Sequence, residues 1–293
     1  MNRVRFLGLS AALAVPACFV PVASRAASGA GKRSLWVWQT SLADAGSVAE
    51  FARANGFGTL FLSVKADRSA LAAGDASALA GLTSLGAAGL TVYGVAGDPE
   101  WVKKERSDIP KSVNELLDIH ASHGVLSGIA LDIEPHTLPE WQDDSRKAAI
   151  AANFINVLAR IRTAAAAAHL PVLATVHPTY AKYSPPGTGE GTLLQAAARA
   201  VDATDLTAYR NAESALERFG SASMAQLAGV GKPWWLGVST HSNAPAGTSY
   251  ATLPASQFFP DIDATSAKLT KRYGVSFAGI AVEDYRNTVA LLR

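Results

Sequence analysis

The sequence predicts an α/β fold, a closed (β/α)8 barrel of the TIM type, and three observations predict it. Eight short apolar or β-branched runs recur along the chain, and Ala- and Leu-rich helical patterns separate them. Such alternation implies parallel pairing, with crossover helices covering the sheet. Eight units in roughly 250 residues is also the size of a closed barrel. The rival is a doubly wound open sheet, whose usual Gly-rich turn follows the first strand. The stretch WVWQTSLADAG contains no G-x-G-x-x-G.

In chain order the expected strands are LWVWQT (35–40), TLFLSV (59–64), TVYGVAG (91–97), SGIALDIE (127–134), PVLATVH (171–177), TDLTAY (204–209), WWLGVST (234–240) and FAGIAVEDY (277–285). Helical patterns fall in SVAEFARANG, VNELLDIHASHG, AAIAANFINVLARIRTAAAAAHL, LLQAAARAVDA and ATSAKLTKRYG. Several of these close on Gly or Asn just past the periodic residues, as helix C-caps do. SPPGTGEG (184–191) reads as a long loop before the helix of the fifth unit. SNAPAGTSYATLPASQFFP (242–260) reads as a loop over the barrel mouth. No internal linker divides residues 34–293, which are expected to form a single barrel domain.

The N-terminal residues MNRVRFLGLSAALAVPACFVPVASRAAS have the three parts of a secretory signal. Arg3 and Arg5 make the positive region, Phe6 to Val22 the apolar stretch, and Ser24-Arg25-Ala26 the small-residue cleavage site. The expectation is cleavage after Ala26, residues 27–33 as a flexible leader, and a secreted or periplasmic product without stable membrane insertion. The only cysteine, Cys18, lies within this segment, so the cleaved protein has no disulfide and no thiol nucleophile or ligand. With 49% hydrophobic residues, a large core must suffice. A net charge of +2 without a basic run or Arg/aromatic interleaving gives no support to a nucleic-acid partner.

Barrel enzymes build their sites from the C-terminal ends of strands. Here those ends supply Trp38, Lys65, Asp67, Asp98 and Trp101 from the first three units, and Asp132, Glu134 and His136 from the fourth. The remaining units add His177, Tyr209, Arg210, His241, Glu283, Asp284 and Tyr285. Acids among aromatic rings suit sugar chemistry: carboxylates serve the glycosidic oxygen and the oxocarbenium-like charge, and flat rings pack on sugar faces. Any one of these residues is explained by the solvation of strand ends, but Asp132 and Glu134 are not. Residues two apart on a strand share a side, so both carboxylates face one small volume. Two such anions repel, and one tends to hold a proton at neutral pH. Glu134, nearer the rim, is the expected general acid, and Asp132 its partner.

These residues resemble a motif of chitinase-like family 18 glycoside hydrolases, D-G-x-D-x-D-x-E on the fourth strand, whose last Glu is the acid. Ser127-Gly128-Ile129-Ala130-Leu131-Asp132-Ile133-Glu134 keeps the Gly, the last Asp and the Glu, with Ser127 and Ala130 in place of the first two acids. The family's M-x-Y-D at strand six resembles TAYR, which keeps Tyr209 and has Arg210 at the Asp position. The resemblance implies that Asp132 and Tyr209 help an N-acetyl group of the substrate act as nucleophile. A substrate without that group requires a second carboxylate, with Glu283, Asp98 and Asp284 as candidates. A D-x-E strand end is also similar to family 25 lysozymes, whose first-strand acid is absent from LWVWQTSL. YGVAGDPEW, GIALDIEPH and FAGIAVEDY are similar to uncharacterised secreted bacterial barrels of glycosidase type.

The expectation is a glycoside hydrolase acting on a polysaccharide or oligosaccharide, with Glu134, Asp132 and Tyr209 catalytic. Asp98, Trp38, Trp101, His177, Arg210, Glu283 and Tyr285 are the expected substrate-binding residues. No cofactor and no metal are implied. One alternative is a metal-dependent hydrolase using His136, His177 and His241, although no His-x-His or H-E-x-x-H is present. Another is a barrel that binds glycans without turnover. A serine esterase is disfavoured because no G-x-S-x-G occurs.

Overall fold

Eight parallel strands close into a barrel in the computed structural model, which describes residues 33–186 and 191–293. The strands are β1 (Arg33–Val37), β2 (Phe57–Leu62), β3 (Thr91–Ala96), β4 (Gly128–Leu131), β5 (Val172–Val176), β6 (Ala203–Leu206), β7 (Trp234–Ser239) and β8 (Phe277–Glu283). Each pairs with its sequence neighbour, and β8 closes on β1. Each lies in or overlaps one of the eight expected runs. The expected signal segment, Cys18 and residues 27–32 of the leader lie outside the described residues, as do 187–190 of the loop 184–191.

The helices described are α1 (Ala45–Ala54), α2 (Arg68–Ala72), α3 (Ala76–Ala87), α4 (Lys111–His123), α5 (Asp144–Ala167), α6 (Leu193–Ala200), α7 (Glu213–Val230), α8 (Ala255–Tyr273) and α9 (Tyr285–Leu291). Local chemistry sets several ends. Thr192 and Gln195 form a reciprocal capping box at α6, and α4 and α7 stop at Gly124 and Gly231 in the left-handed region. The expected loop 242–260 is shorter than the sequence suggests, because α8 already begins at Ala255. Pro254 sits just ahead of the first turn, where a missing N–H costs little. Phe258 and Ile262, four apart, are buried on the inner face of α8, and Pro260 is carried inside the helix. No helix among the described residues is long and apolar enough to cross a membrane.

Strand alternation divides the core in two. One set, including Leu35, Val37, Ile129, Leu131 and Trp234, packs outward under the helices. The other fills the barrel with Trp36, Phe61, Leu173 and the small residues Ala130, Ala203 and Ala281, with Trp38, Tyr93, Val95 and Trp235 against them. The adjacent Trp234 and Trp235 therefore belong to opposite faces. Arg33 ties the start of β1 to α8 through both oxygens of Asp263, and its guanidinium lies 4.5 Å over Phe259.

Gly128 shows how tightly the interior is packed below the mouth. A Cβ there would fall 2.2 Å from the Tyr93 ring, which leans over β4 from its register partner, and 2.9 Å from the Pro171 carbonyl oxygen. Gly128→Ala is expected to cost about 1–3 kcal/mol through overpacking, seen as a lower urea midpoint. An unchanged midpoint would contradict this packing.

Candidate active site

β4 ends at Leu131, and the next residue still continues the ladder: Asp132 N–H donates to the Ala96 carbonyl at 3.0 Å. The close approach is possible because residue 97 is glycine. A Cβ on Gly97 would lie 1.9 Å from the Asp132 carbonyl oxygen. Asp132 thus stays in step with Ala130 and points into the barrel. Glu134 then turns the chain with φ 47° and ψ 58°. That left-handed conformation costs a residue with a side chain about 1–2 kcal/mol, and such strain gathers at functional positions.

Asp132 and Glu134 line a cavity of about 240 Å³ with Trp36, Trp38, Thr175, Tyr209 and Glu283. Thr175 Oγ1 donates to Asp132 Oδ1 at 2.9 Å. The Tyr209 hydroxyl donates to Glu283 Oε2, and Glu283 Oε1 lies 3.7 Å from His241 Nε2. Trp38 stacks on Trp36 with centroids 5.3 Å apart and planes 10° from parallel. Beneath them, fully buried Asp205 accepts from Trp36 Nε1 at 2.9 Å through Oδ2. Glycine again makes the room, since a Cβ at Gly237 would come within 3.1 Å of the Tyr209 ring and 3.2 Å of Asp205 Oδ1.

Burial is the first cause of the acidity pattern. Desolvation, reinforced by Asp132 and Glu283, pushes Glu134 up to about 8. Desolvation raises Asp132 to about 6, opposed by the Thr175 hydrogen bond and assisted by Glu283. Of the two, Glu134 is the group that burial and its neighbours push furthest toward holding a proton, and Asp132, with its Thr175 hydrogen bond, the one that ionises first. Burial also lifts Asp205 to about 7, against the pull of the Trp36 hydrogen bond. His241 is raised, chiefly by the Glu283 carboxylate beside it.

Trp38 also lines a neighbouring groove of about 840 Å³, which holds Lys65, Asp98 and the edge of the largely buried Trp101. That volume lies in the range of about 300–1,000 Å³ typical of ligand sites. Asp98 is engaged there as a cap, accepting from Glu100 N–H at 2.8 Å. Asp67 accepts from Ser41 Oγ and Leu42 N–H and holds the β1 loop.

Other expected site residues stand apart from the acids. Arg210 Nη1 donates to the Tyr209 carbonyl, and its guanidinium lies 3.8 Å over Phe219. Tyr285 does not line the cavity: it opens α9 and meets Phe51 edge-on at 5.3 Å. His177 stacks on His136 at 4.2 Å. Both rings are lowered to about 4, first by burial, then by His177 at His136 and by Arg210 at His177. Thr179 N–H donates to His177 Nδ1, so the neutral ring carries its proton on Nε2. Among the described residues, no three His, Cys, Asp or Glu side chains are disposed to hold a metal ion. The histidine trio considered for a metal is accordingly split between the His136–His177 stack and the Glu283 side of the mouth.

Solved structures share this architecture. A GH18 chitinase from Pseudoalteromonas aurantia superposes with a TM-score of 0.54 at 11% identity, covering 87% of this chain and 94% of that one. The fold is that of chitinases. A Rhizomucor miehei chitinase gives 0.52 at 15% identity, covering 89% and 97%. A mutant plant class V chitinase from Cycas revoluta, in complex with (GlcNAc)3, gives 0.50 at 12%, covering 89% and 97%. No family model and no curated protein matches the chain in sequence.

The buried acids tie folding to pH. Glu134 is raised from 4.5 to about 8, so the native state binds its proton more tightly than the unfolded chain does. Its stabilising contribution is complete below about pH 4.5 and is lost as pH rises through about 8, on the order of a few kcal/mol across that window. Urea unfolding of the wild type is expected to show stability falling with pH there. Glu134→Gln should be shallower and the more stable of the two at the upper end. Parallel profiles would place Glu134 in a solvated environment.

Proposed function

We propose that the chain is an exported glycoside hydrolase that cleaves a polysaccharide or oligosaccharide by carboxylate acid/base chemistry. One observation carries this reading: Glu134, desolvated and beside an ionised Asp132, holds its proton at neutral pH while facing a cavity lined by tryptophan. A protonated carboxyl at the rim can protonate the leaving glycosidic oxygen. Asp132, fixed by Thr175 and one layer deeper, keeps that proton on Glu134 and stabilises the positive charge growing on the sugar. Trp38 offers a face on which a sugar ring can pack, and the groove beyond it has room for further residues of the chain.

Tyr209 orients groups at the floor of the site, either directly on substrate or through Glu283. Lys65, which lines the groove beyond Trp38, is a donor there. Export rests on the tripartite N-terminal sequence. The chitinase fold, and the (GlcNAc)3 complex of one structural neighbour, put N-acetylhexosamine polymers in the substrate panel beside glycans without that group.

Reducing-end release from N-acetylated, deacetylated, acidic and neutral glycans tests the reading. Glu134→Gln is expected to lower turnover by about 10²–10⁴-fold. In the wild type, kcat should fall above about pH 8 as the acid loses its proton. Full activity in Glu134→Gln would place the acid elsewhere. Binding without turnover in both proteins would establish a glycan-binding barrel.

A further inference from the structure

Three carboxylates were candidates for a second catalytic group, and the structure separates them. Asp98 caps the turn after β3 and lies in the neighbouring groove. Asp284 caps α9, accepting from Asn287 N–H at 2.9 Å through Oδ1. Glu283 alone of the three lines the cavity with Glu134. Its position is fixed from two sides: Tyr209 donates to Oε2, and His241 lies 3.7 Å from Oε1. The Tyr209 hydroxyl, the group suited to hold an N-acetyl carbonyl of a substrate, is thereby already turned toward a protein carboxylate.

We propose that Glu283 is the catalytic nucleophile, so that this barrel hydrolyses glycosides carrying no 2-acetamido group. The proposal rests on the hydrolase reading above and deepens it.

In the first step a Glu283 oxygen attacks the anomeric carbon, and the bond from that carbon to the glycosidic oxygen breaks. The electron pair of that bond goes to the leaving oxygen, which takes the proton of Glu134. The products are a glycosyl ester on Glu283, a shortened glycan with a free hydroxyl, and an ionised Glu134. In the second step water attacks the anomeric carbon and gives a proton to Glu134. The ester bond breaks, and its electron pair returns to Glu283. One water is consumed, both carboxyl groups are restored, and no oxidant or reductant is needed. Asp132 remains ionised throughout. Orientation by the Tyr209 hydrogen bond on one oxygen, with the His241 ring 3.7 Å from the other, suits a group that must meet one carbon atom along one line.

The test compares chitin oligomers with fully deacetylated and neutral glycans, using wild type, Glu283→Gln and Glu283→Ala, with sodium azide as an external nucleophile. Glu283→Gln preserves shape, and its unfolding midpoint reports whether the barrel is intact. The expected result is wild-type turnover of a glycan lacking the acetamido group, lost by on the order of 10³-fold or more in Glu283→Gln. Azide should restore turnover in Glu283→Ala and give a glycosyl azide. Loss that azide does not restore would make Glu283 a positioning residue and overturn the nucleophile assignment. Turnover confined to 2-acetamido polymers, undiminished in Glu283→Gln and blocked by an N-acetylglucosamine thiazoline, would overturn the inference and leave the hydrolase reading standing. No turnover of any glycan would overturn both.

Discussion

Three carboxylates line one small cavity, and that volume cannot hold three negative charges cheaply. In water such charges are screened, but inside a protein the interaction is several-fold stronger and each ion has also lost its hydration. The system lowers its energy by retaining a proton, and the environment decides where. Asp132 receives a hydrogen bond from Thr175, and Glu283 faces Tyr209 and His241. Thr137 Oγ1 donates to the Glu134 backbone carbonyl at 2.8 Å, but no hydrogen bond or ion pair reaches the Glu134 carboxyl among the described residues, so the proton falls to it. A general acid thus arises from an unequal distribution of donors around similar groups.

The rest of the barrel maintains that inequality. Glycines at 97 and 237 let the backbone and Tyr209 close in around the acids, and Gly128 admits the Tyr93 ring below them. Trp36 and Trp38 stack, with Phe61 at 4.7 Å from Trp36, and give the cavity an aromatic wall on the β1 side. Trp36 then turns its N–H to Asp205, which places a further acid under the site and extends the electrostatic coupling to Asp132 and Glu283. Packing, backbone strain at Glu134 and acidity are one arrangement: a change in any of them reaches the others within a few ångströms.

Much of the fold was legible because a barrel repeats one signal eight times, so the rhythm survives uncertainty at individual ends. The shared orientation of Asp132 and Glu134 followed from strand periodicity alone. Other parts depended on long-range partners that no local pattern reveals. Tyr285 and Glu283 close the same expected strand, yet β8 stops at Glu283, which reaches the cavity, whereas Tyr285 opens α9 and meets Phe51. Asp98 and Asp284 look like free acids in the sequence but are spent as caps, and Asp98-Pro99-Glu100 does have the pattern of an N-terminal cap. Asp205 was missed. An acid within the apolar run TDLTAY is its only sequence signal, and alternation with Tyr209, four residues on, places it on the same inward face. The start of α8 was hidden by two prolines that usually mark loops, and the buried Phe258–Ile262 pair was the stronger cue.

The central claim is that Glu134 holds a proton because it is desolvated beside Asp132. The most direct measurement is a carbon-13 NMR titration of the side-chain carboxyl groups in wild type and Asp132→Asn, with the Glu134 resonance assigned by its absence in Glu134→Gln. Glu134 should titrate near pH 8 in the wild type and at a distinctly lower value in Asp132→Asn, where one neighbouring charge is gone. Titration in the ordinary glutamate range near pH 4.3, unmoved by Asp132→Asn, would contradict the shared-proton arrangement on which the site is built.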